Sequence, residues 1–66
     1  MKPKYPNIKV KLVGNDGNAF AILGRVRQAL SRGNVSQEEV KKFTDEATSG
    51  DYDNLLAVCC KYVEVL

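Results

Sequence analysis

The residues that could do chemistry fall into few groups. Gly14-Asn15-Asp16-Gly17 is a glycine-spaced turn that leads into Asn18 and an amphipathic stretch. A turn of this kind ahead of a helix can offer backbone N–H groups to an anion. The spacing lacks the lysine of a phosphate loop and the third glycine of a dinucleotide fingerprint, and Asp16 would repel an anion. A structural turn is the simpler expectation. Asp51-Tyr52-Asp53-Asn54 opens like a calcium loop, but Leu56 and Tyr62 stand where the loop glycine and the bidentate glutamate belong. These acids read instead as residues that start a helix. Cys59 and Cys60 are adjacent, and on a helix they diverge by about 100°, so they do not bridge each other. With no histidine and no third cysteine, zinc is set aside. The expectation is two reduced, buried or half-buried small apolar residues. No histidine is present for general-base work, and no nucleophile has an activating partner in sequence. The chain is expected to have no catalytic residues, no metal site and no cofactor, and so not to be an enzyme.

Charge is unevenly placed. Residues 1–33 carry seven Lys/Arg against one acid, a net of +6, and residues 34–66 carry a net of −4. Such a split points to a polyanionic partner or to self-association. Lys9, Lys11, Arg25, Arg27 and Arg32 are the candidate nucleic-acid contacts. They need not converge, because the lysines leave a strand on the face away from the helices and the arginines leave the outer side of a helix. A second candidate face comprises Gly14, Asn15, Asp16, Gly17, Phe20 and Gly24. Gly24 interrupts a helix at a cost of roughly 1 kcal/mol. Either another part of the chain packs closely there, with Phe20 on the strand or a helix, or the pair forms a docking point for a partner.

The elements that must position these residues follow from periodicity. Pro3 and Pro6 make residues 1–7 an extended, partly loose arm. Ile8, Val10 and Leu12 alternate with Lys9 and Lys11, which predicts a half-buried strand. Asn18 caps a first helix over about 18–32, whose apolar face is Ala19, Ile22, Leu23, Val26, Ala29 and Leu30, with Gly33 at C′. Ser36 and Glu39 have capping-box spacing, Val35 and Val40 have staple spacing, and a second helix runs over about 36–48. Its inward residues are Val40, Phe43, Thr44 and Ala47, and Lys42 and Glu46 are i,i+4 partners. Asp51 caps a third helix over about 51–62, with Tyr52, Leu55, Leu56, Cys59, Tyr62 and Val63 on one face. Residues 63–66 are either its frayed end or a short strand that pairs with the first. The fold class is α+β, mostly helical.

The whole chain of 66 residues makes one small domain. A core of this size leaves little room for an enclosed pocket. No apolar run reaches the ~20 residues of a membrane span, and the N-terminal residues lead into no stretch of signal-peptide length. The expected location is the cytoplasm. Ile8 to Phe20 together with Ile22-Leu23-Gly24, and Ala47-Thr48-Ser49-Gly50-Asp51-Tyr52-Asp53, resemble the two characteristic stretches of a family of short bacterial and phage proteins of unknown function. The resemblance implies no activity, cofactor or catalytic residue. It also implies that relatives carry Met and Trp near Cys60 and Tyr62, which makes the cysteines packing choices. The expected function is a non-enzymatic protein-interaction module, with nucleic-acid binding through the basic half as the alternative. Partners are then a protein or a second copy of the chain, nucleic acid ranking below them, and no membrane.

Overall fold

The computed structural model describes residues 2–12 and 18–66. The order of elements is β1 (Tyr5–Val10), α1 (Ala19–Arg32), α2 (Gln37–Ala47), α3 (Tyr52–Tyr62) and β2 (Val63–Val65). The tail is therefore a strand. It pairs parallel with β1, with Tyr5 opposite Val63, Lys9 opposite Glu64 and Val10 opposite Val65. The expected mostly helical α+β architecture is the one observed. No helix among the described residues is long and apolar enough to cross a membrane.

Each helix starts where a side chain can take up its unpaired N–H groups. Asn18 Oδ1 accepts from the N–H groups of Phe20 and Ala21 at 3.0 and 3.3 Å. Ser36 Oγ accepts from Glu39 N–H at 3.2 Å, and Asp51 Oδ1 from Asn54 N–H at 2.9 Å. Only the serine half of the expected capping box forms. The Glu39 carboxylate turns instead to Lys4 at 2.6 Å and to the Tyr5 hydroxyl at 3.4 Å. Both are tertiary partners brought by the N-terminal residues, which local spacing does not reveal.

The end of α1 differs from expectation by one residue. Gly33 is the cap itself, with φ −83°, and Asn34 takes the left-handed C′ position with φ 65°. Val35 N–H donates to Leu30 C=O and Asn34 N–H to Ser31 C=O, at 3.0 and 3.1 Å, which is a Schellman closure. Gly33 also touches β1. A methyl there would stand 2.6 Å from Ile8 Cδ1, the tip of a side chain that would have to turn aside to admit it.

The core is one cluster fed by every element: Val10, Ile22, Val26, Leu30, Val40, Phe43, Ala47, Leu55, Val58, Cys59, Tyr62 and Val63. Six expectations about inward residues change. Tyr52 and Ala19 are exposed, Leu23, Ala29, Thr44 and Leu56 are only half-buried, and Val58 takes a core place on α3. α3 packs on both α1 and α2, and its buried face is Leu55, Val58, Cys59 and Tyr62.

β1 begins earlier than alternation predicts, inside the segment that the prolines suggest is a loose arm. Lys4 N–H donates to Lys61 C=O at 2.9 Å, and the Tyr5 ring lies 6.5 Å from that of Tyr62. The pairing is irregular between Tyr5 and Lys9. That is where Pro6, which has no N–H to give, can sit in a strand. The expected Lys42–Glu46 pair does not form, and only Glu46 turns to tertiary partners. Lys42 lies 3.8 Å from Glu39, and Glu46 accepts from Lys61 at 2.6 Å and from the Tyr62 hydroxyl at 3.2 Å. Hydrogen bonding to Lys4 holds the Glu39 carboxyl below its usual range, and bonding to Lys61 does the same for Glu46. Both pairs are solvated, so they fasten the arm and α3 to α2 more than they stabilise the whole.

Candidate functional site

Of the first candidate face, Gly14, Asn15, Asp16 and Gly17 lie outside the described residues. The two remaining members are well placed. Phe20 lies in the first turn of α1 and is 85% exposed. Gly24 follows one turn later, and a methyl built on it would meet nothing within 4 Å. The packing explanation for both residues therefore fails. Phe20 lies on neither the strand nor the third helix, and no part of the described chain approaches Gly24.

This has a measurable consequence. Gly24→Ala should raise stability by roughly 1 kcal/mol, since alanine is the better helix former and the site has room for it. Thermal unfolding followed by circular dichroism checks the sign. A lower midpoint would mean that something does press on this turn.

The basic residues gather more than their elements suggest. An open groove of about 750 Å³ runs between β1 and α1, and Lys9, Lys11, Arg25 and Arg32 all line it together with Phe20 and Gly24. The reason is geometric. Arg25 and Arg32 are seven residues apart, about two turns, so they share a helix face. That face borders the edge of β1 that β2 does not take. On the β2 side, Leu66 N–H donates to Val10 C=O at 2.9 Å. Backbone groups alternate between edges along a strand, so Lys9 directs its own the other way. There Arg25 Nη1 donates to Lys11 C=O at 3.3 Å. Ala21, Gly24, Ala29 and Gly33 also line it, beside Ile8 and Val10. No Asp or Glu is among its described lining residues.

Arg27 does not belong to this set. It lines a neighbouring depression between α1 and α2, with Ser31, Gln37 and Val40, that shares Gly24 and Gln28 with the groove. The spacing-based reading missed Gln28 and Asn7, which add polar groups to the groove. Gln28 was findable, three residues from Arg25 and four from Arg32, whereas nothing in the sequence marks Asn7. Phe20 also borders a second, smaller cleft of about 260 Å³, with Leu23, Tyr52 and Leu55.

The cysteines divide by environment. Cys59 is buried and Cys60 is exposed, which corrects the expectation that both lie at least half-buried. Burial pushes the Cys59 thiol up to about 11. It is then protonated near neutral pH and a poor nucleophile. In the native state one thiol per chain should react promptly with a disulfide reagent such as Ellman's, and the second only on unfolding. Prompt reaction of both would mean that the α3 packing is open. Among the described residues, no cluster of His, Cys, Asp or Glu could hold a metal ion.

Comparison of the chain with protein-family models, with curated proteins and with solved structures returns no match.

Proposed function

We propose that the chain is a non-enzymatic binding module whose contact surface is the β1–α1 groove and whose occupant is anionic. The observation that carries this reading is the convergence of Lys9, Lys11, Arg25 and Arg32 on one groove with no acid among its described lining residues. Cations held on one surface attract a polyanion and lose that attraction as salt screens it. An amide-resolved titration with inorganic polyphosphate tests the proposal. Shifts should concentrate on Asn7–Lys11 and on the groove-facing turns of α1, and should fade as salt is added. Absent shifts, or shifts spread evenly over the surface, would overturn it.

A second reading rests on Phe20. A large ring 85% exposed, bordering both the groove and the smaller apolar cleft, is a suitable anchor for a protein partner or a second copy of the chain. Sedimentation of the wild type and Phe20→Ala separates the self-association form of this reading. It requires a dimer that the variant loses, and a monomer at all concentrations would remove it.

A further inference from the structure

Taking the anionic-groove reading as its premise, we infer that the occupant is single-stranded nucleic acid, its phosphates along Lys9, Lys11, Arg25 and Arg32 and a base stacked on Phe20. Charge complementarity selects a polyanion over a neutral ligand, but four cations alone would suit any polyanion. The exposed ring at the same groove is what separates the classes. Every base offers a face for stacking, so an aromatic beside a cationic track binds single strands with little sequence preference. A duplex keeps its bases stacked on each other and gives Phe20 nothing to meet.

The length fits. From Phe20 to Arg32 the helix rises roughly 18 Å, enough to run beside several nucleotides. Ala21, Gly24 and Ala29 line the groove beside the arginines and project little side chain into it.

An acidic peptide added as a further strand is the main rival occupant, and the structure argues against it. Strand addition needs the free edge of β1 to accept a hydrogen-bonded ladder. Arg25 already holds Lys11 C=O on that side, and Lys9 and Lys11 themselves are the kind of charge that guards an edge from further pairing. The same features leave the side chains available to phosphates.

The test compares four probes on the full-length chain by fluorescence anisotropy or calorimetry: a short mixed-sequence single strand as DNA and as RNA, the matching duplex, and inorganic polyphosphate of equal charge. The single strand should bind most tightly. Its affinity should fall with salt with a log–log slope near −2.8, about 0.7 for each phosphate neutralised. Lys9→Gln should flatten that slope by about 0.7, while Arg27→Gln, outside the groove, should leave it unchanged. Phe20→Ala should weaken single-strand binding about five- to 150-fold and leave polyphosphate binding as it was. Phe20 is exposed enough that the variant should fold normally, which its melting curve verifies. If polyphosphate binds in the groove but the single strand binds no better, or Phe20→Ala has no effect, the nucleic-acid inference falls and the anionic groove stands. Tighter binding of the duplex also overturns the inference. If no polyanion binds at all, both fall together.

Discussion

Phe43→Ala should leave the chain without a cooperative unfolding transition at physiological temperature. Phe43 is 0% exposed and stands at the middle of α2, where the three helices meet. Its ring also meets that of Tyr62 edge-on, with centroids 5.3 Å apart and planes at 71°. Removing a buried phenyl group costs about 3–5 kcal/mol through lost transfer energy and the cavity that remains. A core in a chain of this length supplies about 3–5 kcal/mol in total. One substitution thus consumes essentially the whole margin. The measurement is thermal and urea unfolding by circular dichroism, with dye binding to report exposed apolar surface. Phe43→Leu, which fills most of the volume but lacks the edge-on contact, should retain a transition at a lower midpoint. A sharp transition for the alanine variant within a few degrees of wild type would show that the helices can close over the gap.

The second large effect is at the other end of the chain. Removing residues 63–66 should unfold the domain, even though they form only one short strand. Val63 is 1% exposed and belongs to the core. The four residues also carry β1's only described strand partner, including the bond from Leu66 N–H to Val10 C=O. Without them a two-stranded sheet becomes a single strand with its edges unpaired, and the core opens beneath it. Val63→Asp should have the same outcome, since it places an unpaired charge in an apolar interior. Glu64→Ala, on an exposed neighbour, should leave stability within about 0.5 kcal/mol of wild type. Hydrogen exchange adds a spatial readout, because β1 amides should lose protection first in any partly folded remnant. Protection in β1 that survives the truncation would show that α1 alone is enough to hold the strand.

The sequence by itself determined the number, order and approximate ends of the helices. Those features are local: Asn18, Ser36 and Asp51 cap helices with their own side chains, and the spacing of Ile22, Val26 and Leu30 or of Val40, Phe43 and Ala47 is a property of one segment. It also named Lys9, Lys11, Arg25 and Arg32, which line the groove, and singled out Phe20 and Gly24, because an aromatic off the stripe and a glycine inside a helix both break a local rule. Only the tertiary structure decided what these residues face. Glu39 adds Lys4 to its helical neighbour Lys42, and Glu46 takes Lys61 in place of Lys42; these partners lie 35 and 15 residues away. The start of β1 at Tyr5 depends on Tyr62 and Lys61, and the strand state of Val63–Val65 depends on β1 in return. The emptiness around Gly24 and the meeting of Lys9 and Lys11 with Arg25 and Arg32 are likewise set by the angle at which a strand lies along a helix. Periodicity fixes which side of an element a residue occupies. It carries no information on which sides of two distant elements are brought to the same groove, since that follows from how all five elements together cover one shared core.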